Sequence, residues 1–92
     1  MFIGKKLLVA TMPYTYLGFC VAEEGQYLVL QQVNYVFDTG NYGDFINTGE
    51  AIAVEVLSPE INVYLQHRNI IEISEWQHEL FVESFDHKKE FE

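Results

Sequence analysis

The sequence predicts a small, mainly antiparallel β domain, in which a bent five-stranded sheet is followed by a C-terminal helix. Three observations carry this prediction: short apolar runs rich in β-branched and aromatic residues, turn signals between those runs, and a length of 92 residues, which holds one hydrophobic core. Apolar residues make up 49% of the chain, enough for that core without disulfides or a metal. We therefore expect one β domain over residues 1–74, then a helix and an acidic tail over 75–92.

The first three predicted strands are separated by two tight turns. Residues 6–12 form a β-type run that ends at Pro13, where the backbone loses a hydrogen-bond donor. Apolar side chains alternate over 15–22 until Gly25 breaks the run, so a hairpin is expected to lead into residues 27–37. This third run is long for a strand, which is typical of a strand that bends around a barrel.

The second half of the chain resumes strand character after a loop. Residues 38–49 contain three glycines with Asp and Asn at turn-forming spacing, and this pattern predicts an exposed loop. A fourth strand is expected over 51–57 and, after a bend at a proline, over 61–65. The polar residues 66–69 then predict a tight turn, and 70–73 a short fifth strand.

The end of the β region carries a helix signal. Ser74 and Gln77 have the spacing of a capping box, and apolar side chains recur at near-helical spacing from Trp76 to Phe81. This pattern predicts a helix over 75–85, although the Leu-Phe-Val run inside it also fits a strand. The charged residues after it are expected to be frayed.

The charge of the chain limits its partners. The formal net charge is −9, and only five lysines and arginines are present. Residues 72–92 hold seven acidic and two basic residues, so residues 1–71 hold seven acidic and three basic residues and are acidic as well. Binding nucleic acid through many phosphates needs clustered basic side chains, so the charge argues against that class of function.

No residue pattern points to catalysis, a metal or another cofactor. Cys20 is the one cysteine, which rules out an intramolecular disulfide, and its apolar surroundings favour a buried, inert thiol in a reducing compartment. The three histidines lack the spacing of a metal site. Ser84, Asp86 and His87 combine a nucleophile, an acid and a base, but they fall in the charged tail, which does not hold catalytic geometry. We therefore expect a protein that is not an enzyme.

The N-terminus carries no export or membrane signal. Residues 1–10 contain two lysines and only a short apolar stretch, too short for a signal peptide or for a membrane span of about 20 residues. These features predict a cytoplasmic protein that has no membrane partner.

Two stretches resemble the sequence motifs of the Sm-like family, which includes Sm, LSm and Hfq proteins. Residues 16–33 (YLGFCVAEEGQYLVLQQV) are similar to the first motif, with Gly18 in strand two and Glu24 in an acidic turn. Residues 63–73 (VYLQHRNIIEI) are similar to the second motif, with a turn at Gln66-His67 followed by Asn and an Ile-x-x-Ile strand. The resemblance implies a five-stranded bent antiparallel Sm-like (SH3-like) barrel.

The resemblance also implies a homo-oligomeric ring with a pore. Apolar fourth and fifth strands at open sheet edges favour head-to-tail pairing between subunits, which closes a ring. The expected interface residues are Ile61, Val63, Leu65, Ile70, Ile71 and Ile73. If the ring binds single-stranded RNA as its relatives do, the turns at the pore hold the ligand weakly, by stacking and hydrogen bonds. The expected RNA-binding residues are Gln26, Tyr27, Gln66, His67, Arg68 and Asn69.

A second class of function remains open on the same sequence. Tyr14, Tyr16, Tyr35 and Tyr42 are expected at the surface, and aromatic side chains with little positive charge favour protein partners over phosphates. The alternative is therefore a protein-interaction or assembly module without nucleic-acid binding, which includes a small SH3-like monomer that binds peptides.

Overall fold

The structure of the protein is a computed structural model that describes residues 1–86. Within this range an antiparallel sheet of seven strands is joined by one α-helix and one 3₁₀ turn. The strands are β1 (Lys6–Thr11), β2 (Thr15–Glu24), β3 (Tyr27–Asp38), β4 (Ala53–Val56), β5 (Val63–Gln66), β6 (Ile70–Glu75) and β7 (Phe85–Asp86). The helix α1 (Tyr42–Thr48) lies between β3 and β4, and the 3₁₀ turn (His67–Asn69) joins β5 to β6.

The long strand β3 organises the sheet, whose order is β6-β1-β2-β3-β4-β7. On one side β3 pairs with β2 along most of its length. On its other side the first part pairs with β5, from Tyr27 to Leu30, and the last part pairs with β4, from Asn34 to Asp38. Between these two ladders Gln32 has a positive φ of 54°, so β3 bends there. β5 and β4 therefore pair with the same edge of β3, one before the bend and one after it.

Alternation along the strands divides the core into two faces. One face carries Leu7 and Val9 of β1 together with Leu28 and Leu30 of β3, all buried. The opposite face carries Leu8, and it is covered by α1 and by the chain that follows β6. Each face is shielded from water, which explains why apolar residues are dense in this short chain.

The predicted loop over 38–49 is wrong in part, because it contains α1. Asn41 caps this helix, since its side chain accepts a hydrogen bond from the Asp44 backbone N–H at 3.0 Å. The helix ends at Gly49, whose φ of 78° lies in the left-handed region. Phe45 is fully buried between α1 and the sheet, and its ring lies 4.9 Å from that of Trp76. The buried Phe45 and the capping residues Asn41 and Gly49 thus stabilise a helix in a glycine-rich segment.

The predicted helix over 75–85 is also wrong. Residue Glu75 ends β6, and residues 76–84 then form neither helix nor strand and pack on the face that carries Leu8, before β7 pairs with β4. Trp76 is buried there, and its Nε1–H donates to the Glu79 carbonyl oxygen at 3.2 Å. The buried Asn34 of β3 holds the segment with two hydrogen bonds, from its Nδ2 to the Phe81 oxygen at 3.1 Å and from the Phe81 N–H to its Oδ1 at 2.8 Å. Pairing and burial outweigh the capping pattern in the sequence.

The coarse prediction of a mainly antiparallel β fold is confirmed. The described residues form seven strands where five were predicted, because the fourth strand is divided into β4 and β5 and because β7 was not expected. The sheet is an open one, not a closed barrel, within residues 1–86. Among these residues no helix is long and apolar enough to cross a membrane. The acidic tail predicted after residue 86 lies outside the described residues.

Gly49 should tolerate alanine less well than Gly25. Both residues have a positive φ, 78° and 59°, so alanine costs about 1–2 kcal/mol of backbone strain at either position. A Cβ on Gly49 would in addition lie 2.6 Å from Cγ of His78, whereas a Cβ on Gly25 meets no atom within 4 Å. We expect Gly49→Ala to lower the free energy of unfolding by at least about 1 kcal/mol more than Gly25→Ala, as measured by urea denaturation. Equal losses would contradict the packing of His78 on the end of α1.

Candidate binding groove

A groove of about 620 Å³ lies between the β1–β2 turn and the segment from β5 to β6. The turn is tight, because Thr11 donates both its backbone N–H, at 2.8 Å, and its hydroxyl, at 3.0 Å, to the Tyr14 carbonyl oxygen. The Met12-Pro13 peptide bond within it is cis. The residues that line the groove are Thr11, Met12, Pro13, Tyr14, Tyr16, Tyr27, Tyr64, Leu65, Gln66, Arg68, Asn69 and Ile71.

Four tyrosines dominate the walls of this groove. Tyr27 of β3 and Tyr64 of β5 form a T-shaped pair with ring centroids 5.9 Å apart. Tyr14 and Tyr16 form a second edge-to-face pair at 6.5 Å on the opposite wall. Tyr64 is 51% exposed and Tyr14 42% exposed, so each pair presents ring surface to a ligand.

Polar groups converge at the end of the groove near the 3₁₀ turn. The Arg68 Nε–H donates to Oε1 of Gln66 at 2.8 Å, which holds the two side chains beside each other. Asn69 lies next to them in the same lining. The site thus combines aromatic stacking surfaces, two amides and one guanidinium, which suits planar or extended ligands.

The structure brings the six predicted RNA-binding residues to one end of the molecule. The turn between β2 and β3 meets the 3₁₀ turn, where the His67 N–H donates to the Gln26 carbonyl oxygen at 2.8 Å. Gln26 and His67 are exposed at this junction but do not line the groove. The remaining four residues line it, and they are Tyr27, Gln66, Arg68 and Asn69.

Sequence analysis missed the opposite wall of the groove. Tyr14 and Tyr16 were expected at the surface as contacts for protein partners, not beside the predicted RNA-binding residues, and Tyr64, on the wall of Tyr27, was not predicted at any site. Tyr64 stands in an alternating strand pattern, so its outward orientation was accessible from periodicity. The approach of the β1–β2 turn depends on the curvature of the sheet, and no local sequence signal reports it.

A cluster of four aromatic rings continues from the groove along β2 and β3, and we call it the aromatic strip. Its members are Tyr14, Tyr16, Tyr35 and Phe37. Tyr16 and Tyr35 are cross-strand partners with ring centroids 4.9 Å apart, and the ring of Tyr35 stacks on that of Phe37 at 5.8 Å. Tyr16 is buried, contrary to the expected surface position, whereas Phe37 is 53% exposed. Tyr42, also expected at the surface, is exposed on α1, away from the strip.

Both β5 and β6 are sheet edges within the described residues. β5 pairs only with β3, and β6 only with β1. In the β3–β5 ladder, the hydrogen bond from the His67 N–H to the Gln26 oxygen shows that these two residues form a hydrogen-bonded pair. Hydrogen-bonded and non-hydrogen-bonded pairs alternate along an antiparallel ladder. The backbone N–H and C=O groups of Tyr64 and Gln66 therefore point away from β3. By the same reasoning the bond from the Trp76 N–H to the Lys6 oxygen turns the backbone groups of Ile73 outward from β6.

The side chains predicted for a ring interface are divided between the core and the surface. Leu65 is only 7% exposed and belongs to the core, so its side chain is not an edge contact. Val63, Ile70 and Ile73 pack in part against the same core. Ile71 is 65% exposed on β6, and Ile61 is exposed but precedes β5. Of the six predicted residues, Ile71 is therefore the exposed apolar side chain on an edge strand, and β5 adds the exposed Tyr64.

The side chains considered for metal binding or nucleophilic chemistry are located in the structure of residues 1–86 as follows. No group of three or more His, Cys, Asp or Glu side chains in this range is placed to hold a metal ion. The Ser84 hydroxyl oxygen accepts a hydrogen bond from the Val56 N–H at 2.7 Å, and His87 lies outside the described residues. The buried Cys20 has a pKa raised above its ordinary value by burial, which keeps the thiol protonated.

Comparison of the chain with protein-family models, with curated proteins and with solved structures gives no match. The function must therefore be argued from the groove, the aromatic strip and the two open edges.

Stability should fall in alkaline solution through ionisation of Tyr16. Burial, followed by the neighbouring Tyr35, raises the pKa of Tyr16 from 10.0 to about 12. As the pH rises from 10.0 to about 12, the unfolded chain loses a proton that the folded chain keeps, so the free energy of unfolding decreases. Urea denaturation across this pH window should give a smaller decrease for Tyr16→Phe than for the unchanged protein. Identical pH profiles would contradict the buried position of this hydroxyl.

Proposed function

We propose that the protein is a non-enzymatic, Sm-like ring subunit whose groove binds single-stranded RNA weakly. The observation that carries the proposal is the arrangement of β5 and β6. They follow each other along the chain, are separated only by the 3₁₀ turn, and pair with different neighbours, so each leaves one edge open among the described residues.

The open edges supply a reason for assembly. Backbone N–H and C=O groups that point outward from an edge strand favour pairing with another strand. Pairing of β5 in one subunit with β6 in the next satisfies both edges and leaves the same two edges at the ends of the growing assembly. Such a head-to-tail interface is heterologous, and it closes into a ring when the rotation between subunits permits.

The groove supplies a reason for RNA binding. Unstacked bases bind to aromatic faces, and their edges form hydrogen bonds with amides, as Tyr27 and Tyr64 with Gln66 and Asn69 would allow. Arg68 is the one lysine or arginine in the lining, so contact with phosphates is limited to about one per subunit. A net charge of −9 per chain repels a polyanion elsewhere on the surface, which keeps the affinity low.

A proline at position 64 should separate the subunits without unfolding them. The Tyr64 N–H points away from β3, so Tyr64→Pro removes a donor from the open edge but none from the β3 ladder. Light scattering should give several times the 10.7 kDa chain mass for the unchanged protein and the monomer mass for Tyr64→Pro.

Tyr64→Ala is the matched control for assembly, because it removes the same ring from the groove and keeps the backbone N–H. This variant should remain assembled. An unchanged protein that is monomeric at every concentration would refute the ring and favour the monomeric alternative.

RNA binding should depend on Arg68 and Tyr27. Titration of short oligo(A) and oligo(U) at two salt concentrations should give weak, saturable binding with a shallow salt dependence, because the slope is about 0.7 per neutralised phosphate on a single strand. Arg68→Glu should abolish the binding, and Tyr27→Ala should weaken it by about 1–3 kcal/mol per stacked base.

Lys5→Glu is the charge control, since it changes the net charge by the same amount at a residue that pairs with Glu75, outside the groove. It should weaken binding far less than Arg68→Glu. Absence of saturable binding at low salt would refute the RNA function and leave the ring intact as an assembly module.

The second candidate function is a protein-interaction module without RNA binding. It is favoured by one specific observation, the continuation of the groove into the aromatic strip, where no described lysine, arginine or histidine joins the ring contacts.

A further inference from the structure

We propose that the aromatic strip docks an extended, proline-rich peptide that carries basic side chains. This surface extends beyond the groove assigned to RNA, because Tyr35 and Phe37 do not line that groove. The inference therefore goes beyond the ring and its RNA site, and it does not depend on either.

Two rings of the strip, Tyr14 and Phe37, are exposed, and both contact the half-buried Tyr35. Tyr14 contacts both Tyr35, at 5.9 Å, and Phe37, at 6.1 Å, in edge-to-face geometry. Tyr35 and Phe37 are stacked with their planes 13° apart, since residues two apart on β3 share a face of the sheet. Phe37 is 53% exposed and Tyr14 42% exposed. A ligand thus meets rings that already pack against one another, so they lose less side-chain freedom on binding than isolated rings would.

The charge around the strip selects a basic partner. Glu55 of β4 lies directly opposite Tyr35 in the sheet, so its exposed carboxylate stands on the same face as that ring. Beyond Phe37 a depression of about 380 Å³ is lined in part by Glu55 and Asp86. Among the described residues no lysine, arginine or histidine lines the depression. An arginine or lysine of a peptide is attracted both to Glu55 and to the face of Phe37.

A proline-rich backbone fits the remaining features of the surface. Such segments adopt the polyproline II conformation before binding, so they dock on aromatic surfaces at a low entropic cost. Their backbone carbonyls form no internal hydrogen bonds, and the Tyr14 and Tyr35 hydroxyls offer donors at the strip. Single-stranded RNA also stacks on rings, but along this surface its phosphates would face Glu55 with no described cation beside them.

Isothermal titration calorimetry with three synthetic peptides tests the proposal. The first peptide has eight residues, with two arginines among prolines; the second has glutamates in place of the arginines; the third keeps the arginines and replaces the prolines by glycine and serine. We expect saturable binding of the first peptide, with at least about fivefold weaker binding of each of the other two, as for the loss of one important interface contact.

Variants of the strip should lower the affinity for the arginine–proline peptide. Phe37→Ser and Glu55→Lys are each expected to weaken it at least about fivefold, and Glu55→Lys should favour the glutamate peptide instead. Val82→Ser is the matched control, because Val82 is 85% exposed and lies outside the strip, and it should bind as the unchanged protein does. Tyr64→Pro should also retain binding, which distinguishes this site from the ring edge.

Three results would overturn the proposal. The first is absence of saturable binding of the arginine–proline peptide. The second is binding that neither Phe37→Ser nor Glu55→Lys weakens; Glu55 is a surface residue, so its variant remains informative if Phe37→Ser does not fold. The third is binding of oligo(U) that Phe37→Ser weakens as much as it weakens peptide binding; because Phe37 does not line the groove, this result would assign the strip to nucleic acid.

Discussion

The bend in β3 is the constraint on which the rest of the structure depends. Its first part pairs with β5 and its last part with β4, and the chain turns between them at Gln32, which has a positive φ. Gly18 of β2 makes the bend possible, because a Cβ there would lie 3.0 Å from the Gln31 carbonyl oxygen. The two strands beside the bend, β2 and β3, therefore curve together.

The face that carries Leu8 is shielded from water because residues 76–84 are hydrogen-bonded to β3. Asn34 follows the bend and is only 1% exposed. Its side chain forms hydrogen bonds with both the N–H and the carbonyl oxygen of Phe81. A buried amide with both of its groups satisfied fixes one register and penalises any other. Trp76 and Phe45 then fill the space between this segment and α1. The same bend thus positions the groove on one side and the covered face on the other.

Strand positions were accessible from the sequence because alternation is a local property, and the mainly antiparallel β fold followed from it. The two helix errors have a different origin. Asn41 and Gly49 were interpreted as loop residues although they cap α1, because a seven-residue helix is stable only with the burial of Phe45. Ser74 belongs to a strand paired with Leu8 of β1 despite its capping pattern. Both outcomes are set by tertiary contacts that no local pattern contains.

The candidate site shows the same difference between what local sequence predicts and what tertiary contacts decide. The family resemblance implied that Tyr27 and the residues from Gln66 to Asn69 lie together, and the two turns that carry them do meet. Tyr14 was expected at the surface as a contact for protein partners, but its approach to Tyr64 across the groove was not predicted, because that distance depends on how far the sheet curves.

The charge pattern of the edges adds a reason for the proposed mode of assembly. β6 carries Glu72 and Glu75, so two copies of β6 repel each other when paired, whereas β5 carries no charged residue. Pairing of β5 with β6 avoids that repulsion, and this unlike pairing is the one that propagates around a ring.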